Sequence, residues 1–169
     1  MITVSNVSLR IGDKLLFKDA NFSAYSGQCI GLTGANGCGK STLMSMLTHD
    51  INVDLGDITI PSSFIIATVA QHVERYQGTA IDFVIAGDQA LITAKHSVQE
   101  AEKSGDNEAL AAAYEQLENA DAYTAESRSG QLLAGLGFTS DQQKTAVNAF
   151  SGGWRMRLNL ARALMIQSD

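Results

Sequence analysis

The run Gly34-Ala35-Asn36-Gly37-Cys38-Gly39-Lys40-Ser41-Thr42 sets three glycines ahead of a lysine and two hydroxyl side chains. It fits the pattern G-x-x-x-x-G-K-[ST]. Glycines reach backbone angles that turn successive N–H groups toward one centre, and amides converging in this way hold an anion. A helix starting at Lys40 adds the positive end of its dipole. Lys40 brings a full charge for β- and γ-phosphates, and the Ser41 hydroxyl can ligate Mg²⁺. The chemistry these residue types support at this spacing is the binding of a nucleoside triphosphate with its magnesium ion.

A second anion-binding arrangement lies in "FSGGWRMRLNLARALMIQSD", residues 150–169. Ser151 is a capping residue, and Gly152 and Gly153 leave the first amides of a helix bare. Beside the first loop in one unit it would be redundant. It makes sense when it faces the γ-phosphate of a nucleotide held by another domain.

Elements must place these motifs. Residues 1–33 read as strands and turns: "ITVSNVSLRI", a Gly12-Asp13 turn, "KLLF", then "ANFSAYSGQCIGLT". The short apolar run "GQCIGLT" predicts a buried central strand leading into the glycine loop, with "KSTLMSMLTH" as the helix after it. A further strand pair, "DITI" and "FIIATVAQ", surrounds Pro61. From Gly78 to Ala149 the pattern turns helical. Val84, Leu91 and Val98 recur at seven, and Leu110, Tyr114, Leu117 and Asp121 keep helical spacing. "SGDN" at 104–107 predicts the turn of a helical hairpin. "AESRSGQLLAGLGF" predicts a helix closing at Gly135 or Gly137. Three stretches result: 1–77, 78–149 and 150–169, the middle one inserted between two parts of one unit.

Composition sets limits. The chain has 169 residues, 45% hydrophobic and 18% charged, which suits one domain with a real core or one domain plus a helical insertion. No run reaches the roughly 18–20 apolar residues of a membrane span, and the N-terminus lacks a basic-then-apolar leader pattern. Cys29 and Cys38 form neither a disulfide framework nor a zinc pattern and fit two free thiols in a reducing compartment. The net charge of −6 is uneven. Residues 1–77 hold 5 basic and 6 acidic side chains, residues 78–149 hold 4 and 11, and residues 150–169 hold 3 and 1. Such an acidic middle repels nucleic-acid backbones.

Taken together, the glycine loop, Gln71 closing "FIIATVAQ", the helical stretch and "FSGGW" resemble the ATP-binding cassette family along essentially the whole chain. In that family two domains sandwich two nucleotides head to tail. Transporter cassettes usually read Leu-Ser-Gly-Gly-Gln at the second motif. "FSGGWRMRLNLARAL", "GANGCGKSTL" and "LENADAYTAESRSGQLLAGLGF" are instead similar to the ABC-F family, in its YheS-type branch and the first of its two cassettes. Trp154 is equally compatible with a packed core aromatic.

The resemblance implies an α/β P-loop NTPase fold of the ABC type, with an antiparallel β subdomain and a helical insert. It implies ATP phosphates on Gly34, Ala35, Asn36, Gly37, Cys38, Gly39, Lys40, Ser41 and Thr42, and Mg²⁺ on Ser41 and Gln71. Gln71 also positions the attacking water and couples nucleotide state to the helical insert. Ser151, Gly152 and Gly153 meet the ATP of the opposite cassette. His72 matches no family role and is read as a surface histidine. Ile11 stands near where an aromatic usually stacks on adenine, so base contact there is merely apolar.

The implied partners are a second cassette of the same protein and, for the intact protein, the cytoplasmic ribosome. The arm segment, roughly residues 90–125, is short and acidic, which argues against direct contact with RNA. In the family a strand ending Asp-Glu follows the second motif. The chain is therefore expected to be a piece truncated before that strand, hydrolysing ATP slowly or not at all alone and leaving a sheet edge unpaired. Two other functions fit the same motifs: the ATPase subunit of a membrane transporter, or a DNA-gripping chromosome-maintenance cassette, whose insert would be far longer.

Overall fold

The computed structural model describes residues 1–70 and 76–168, which divide into two compact units, Met1–Ile66 and Ala67–Ser168. In the first unit, β1 (Ile2–Ile11), β2 (Lys14–Ala24), α1 (Lys40–Leu47) and β3 (Leu55–Thr59) follow one another. The sheet order is β2-β1-β3, with both pairings antiparallel. The hairpin turn is the predicted one, with Gly12 at φ +57° between Ile11 and Lys14.

Val4, Val7 and Leu9 of β1 are buried with Met46 of α1, and Phe17, Phe22, Leu43 and Ile58 pack against them. Each such side chain removed from water contributes about 1.5–3 kcal/mol, which holds α1 to the sheet. Pairing between β1 and β2 is irregular. Arg10 pairs with Leu15 but Leu9 pairs with Phe17, so Leu16 is an extra residue in β2.

Two sequence expectations fail here. "GQCIGLT" is not a strand: residues 28–35 carry no regular secondary structure, and Ile30 and Leu32 are 60% and 42% exposed. "FIIATVAQ" does not form its strand either, over its described residues 64–70, where Ile66 and Val69 are exposed. A buried strand needs neighbours for its backbone N–H and C=O groups. Among the described residues the three antiparallel strands form the one sheet, and neither segment joins it.

The second unit is helical: α2 (Ala80–Ile85), α3 (Gln89–Ser104), α4 (Asn107–Asn119), α5 (Ala125–Gly135), α6 (Ser140–Gln143) and α7 (Gly152–Met165), with 3₁₀ turns at Ala122–Thr124 and Val147–Ala149. The expected hairpin is α3–α4, turning at Gly105 with φ +69°. The seven-residue stripe is cut between α2 and α3, yet Val84 and Leu91 share one core with Phe83, Leu133, Leu158 and Met165. Tyr114 and Asp121, two of the positions at helical spacing after the turn, are exposed. α5 ends at Gly135, and Gly137 follows at φ +91°.

Most helix starts in this unit are closed by side chains. Thr79 and Asp82 form a reciprocal capping box on α2, and Thr139 and Gln142 form one on α6. Asp88 Oδ1 accepts from Leu91 N at 3.1 Å, and Asp106 accepts from Glu108 N and Ala109 N at 2.9 and 3.1 Å. Each cap is worth about 1 kcal/mol. Among the described residues no helix is long and apolar enough to cross a membrane.

Candidate nucleotide-binding site

The glycine loop connects the irregular segment 25–33 to α1. Gly34, Gly37 and Gly39 have φ of +154°, +76° and +103°, and Cys38 N donates to Ala35 O at 3.3 Å across the loop. Lys40 Nζ donates to Gly34 O at 2.8 Å and Ala35 O at 2.9 Å, folding its ammonium back over the loop entrance. At two points along the curve an added Cβ would force a neighbouring side chain to shift. A Cβ on Gly34 would lie 2.7 Å from Cys38 Sγ, and one on Gly39 would lie 2.9 Å from Phe17 Cζ.

α1 follows Gly39 as its cap residue, with no side-chain cap and no acidic residue in its first turn. Its leading amides therefore keep their donor capacity, and no carboxylate competes for the helix's positive end. Ser41 is exposed in that first turn and Thr42 is partly buried.

The donor set fits a polyphosphate: a side-chain-free curve, the open start of a helix and an ammonium group beside it. Magnesium also fits, since it is held by one or two protein oxygens completed by phosphate and water, and the Ser41 hydroxyl is such an oxygen. No group of three or more His, Cys, Asp or Glu side chains able to hold a metal occurs among the described residues, so a fully protein-made cage is not what they offer. Cys29 and Cys38 are both exposed free thiols.

The second motif lies in the helical unit. Ser151 is the residue before α7, and its hydroxyl makes no capping hydrogen bond. Ser151, Gly152 and Gly153 are all exposed. Behind them is an aromatic cluster. The Phe138 ring meets Trp154 at 4.7 Å and Phe150 at 5.5 Å, both edge-on, while Arg157 lies 4.7 Å over the Trp154 ring. Arg157 Nη1 also donates to Leu136 O at 3.3 Å. Trp154 is thus turned inward as packing, and the turn Phe150–Trp154 is fixed from its inner side.

The structure groups residues 34–42 around one loop in the first unit, whereas Ser151, Gly152 and Gly153 belong to the second. Gln71 and His72 lie outside the described residues. Ile11 is at the exposed end of β1. Spacing did not single out Lys14, whose Nζ donates to Gly37 O at 2.9 Å, nor Phe17 beneath Gly39. It also passed over Asn159, a buried polar residue in the apolar stripe of α7, whose Nδ2 donates to Ala70 O at 2.8 Å. A polar residue between Leu158 and Ala161 was the available signal for that bond.

Residues 17–169 match the family described as ABC transporter. Over 169 residues the chain is 40% identical to "Probable ATP-binding protein YheS" of Escherichia coli (strain K12), covering 100% of this chain and 26% of that protein. It is 34% identical over 177 residues to "ATP-binding cassette sub-family F member 3" of Homo sapiens, covering 99% of this chain and 24% of that protein. The chain thus spans only a minor part of the length of these relatives. A solved structure described as "An inward-facing conformation of a putative metal-chelate type ABC transporter" superposes with a TM-score of 0.65 at 20% identity. That match covers 97% of this chain and 55% of the other, and at such identity it is a likeness of fold.

Proposed function

Because this chain belongs to the ABC transporter family, has its P-loop fold with an antiparallel sheet and helical subdomain, and is homologous to the N-terminal cassette region of YheS-type ABC-F proteins, we propose that it is the nucleotide-binding part of an ATP-driven switch. The observation that carries this reading is the loop 34–39, free of side chains at its tight points and running into an uncapped α1 with Lys40 folded over it. In the proposal the loop amides and Lys40 bind and orient the triphosphate of ATP. Ser41 supplies an oxygen to Mg²⁺, and Thr42 borders the same turn. When bound there, Mg²⁺ would offset phosphate charge, while the loop amides and Lys40 keep the triphosphate oriented.

Ser151, Gly152 and Gly153 present an uncommitted hydroxyl and open amides to the γ-phosphate of ATP held by a second cassette of the same protein. Gln71 is proposed to position Mg²⁺ or water. Closure then requires a γ-phosphate, and its loss on hydrolysis releases the pair. Likeness to ABC-F proteins supports a cytoplasmic role on the ribosome for the whole protein. The exposed acids of the α3–α4 hairpin, among them Glu102, Asp106, Glu108 and Glu115, favour protein over RNA contacts for it.

The test is co-sedimentation of the full-length protein with ribosomes, in a non-hydrolysable ATP analogue and in ADP. Retention in the analogue alone, lost with Lys40→Ala, is expected. No retention in either nucleotide would overturn the ribosomal role and turn attention to a membrane partner.

A further inference from the structure

The β1–β2 hairpin reaches the glycine loop at two points that ordinary strand geometry would send to opposite sides. Residues 14 and 17 differ by an odd number of positions, so in a regular strand their side chains face opposite ways. Here Leu16 is the extra residue between the Arg10–Leu15 and Leu9–Phe17 pairs. Lys14 pairs with Ile11 and Phe17 with Leu9, two residues of β1 that share a face. The bulge therefore brings Lys14 and Phe17 to one side of β2, the re-aiming that a bulge performs. The contacts agree: Lys14 Nζ donates to Gly37 O at 2.9 Å, and the Phe17 ring fills the space a Cβ on Gly39 would need.

We propose that Lys14 is a further residue of the nucleotide site, a positioning residue that fastens the crown of the glycine loop and adds a second positive charge beside the polyphosphate. This rests on the ATP-binding reading given above. Lys40 holds the entrance of the loop through Gly34 O and Ala35 O, and Lys14 holds its middle through Gly37 O. An ammonium has three donors, so Lys14 retains two after this bond. Neither Lys14 nor Lys40 is in an ion pair among the described residues, where the pairs are Lys103–Glu100 and Arg128–Asp88. Both charges are thus left for an anion seated on the loop. The benefit grows with the ligand's charge, so Lys14 favours ATP over AMP.

The test is equilibrium binding of ATP and AMP to the full-length protein, with wild type, Lys14→Met, Lys14→Arg and Lys40→Ala, at two salt concentrations. Lys14 is exposed, and methionine keeps its length, so folding should hold, with thermal melting as the check. Lys14→Met is expected to weaken ATP about five- to ten-fold and AMP less than about two-fold, with a flatter salt dependence. Lys14→Arg is expected to restore ATP affinity to within about two-fold. Unchanged ATP affinity in Lys14→Met, or equal losses for ATP and AMP, would overturn the proposal. Absence of ATP binding by the wild type, or full binding by Lys40→Ala, would instead overturn the nucleotide reading beneath it.

Discussion

α3 and α7 each follow a residue suited to capping, and they use it in opposite ways. Asp88 spends one oxygen on Leu91 N and turns the other toward Arg128 Nη2, 3.8 Å away. Ser151 spends nothing on α7. α1 likewise opens without a side-chain cap. α5 also lacks one, but it continues directly from the 3₁₀ turn before it. Capped starts close a helix against its own surroundings. The open starts of α1 and α7 coincide with the two glycine-rich motifs, and the turn before α7 is held from behind by aromatic rings rather than by a cap. The difference separates helix ends closed by their own side chains from ends whose first amides no side chain caps, the ends that the proposed function assigns to a ligand.

Substitutions at four positions would break or sharpen this contrast. The largest effect is expected from Trp154→Ala, which removes the ring between Phe138 and Arg157 and should cost the helical unit about 2–3 kcal/mol in urea unfolding. Trp154→Phe should recover most of it, while a loss of only a few tenths for the alanine would show that the ring does not hold this turn. Asp88→Ala should cost about 1–2 kcal/mol by opening the start of α3. Asp88→Asn keeps the cap oxygen, so its remaining loss measures the charge facing Arg128, whose Nε and Nη2 have no hydrogen-bond partner among the described residues.

Ser151→Ala should leave stability within about 0.5 kcal/mol, since no capping bond is lost. In the full-length protein the same change should weaken ATP-dependent closure. If it costs as much stability as Asp88→Ala, the hydroxyl is structural and the contrast fails.

The smallest effect at neutral pH belongs to Tyr76, which meets Phe83 edge-on at 5.1 Å beside the capped start of α2. Burial first, then the negative charge of Asp82, raises its pKa above the usual 10.0, and Arg162 partly opposes this. The folded state thus favours the neutral phenol. That contribution is present below pH 10 and is lost as pH climbs through the raised folded value. Tyr76→Phe should flatten the alkaline fall in stability and change nothing at pH 7, as a melt series across pH would reveal.

Much of the architecture was legible because local physics specified it. Gly12-Asp13 between alternating apolar runs set the β1–β2 turn, and "SGDN" set the α3–α4 turn through a glycine that accepts positive φ. Ser151-Gly152-Gly153 correctly marked the start of α7. The failures were those of non-local pairing. An apolar run such as "GQCIGLT" says that a strand is possible but not which neighbour would bind its backbone, and here residues 28–33 join no sheet. Helical spacing likewise joined Tyr114 to Leu110 and Leu117 in α4 without saying which side the hairpin covers, and Tyr114 is exposed.

The order of residues by itself determined the groups the loop offers and, with them, the expectation of phosphate binding. Three glycines, a lysine and a serine in that succession supply backbone freedom, charge and a hydroxyl without any long-range contact. Tertiary structure alone decided what supports that loop. Lys14 is 23 residues from Gly37, and only an extra residue in β2, defined by pairing with β1, turns Lys14 and Phe17 to the same side. Trp154 and Phe138 were joined in the same way, by packing between α7 and the turn after α5. Local rules act over a helical turn or a hairpin. Contacts between distant segments depend on how whole elements pack, and no short window of sequence contains that information.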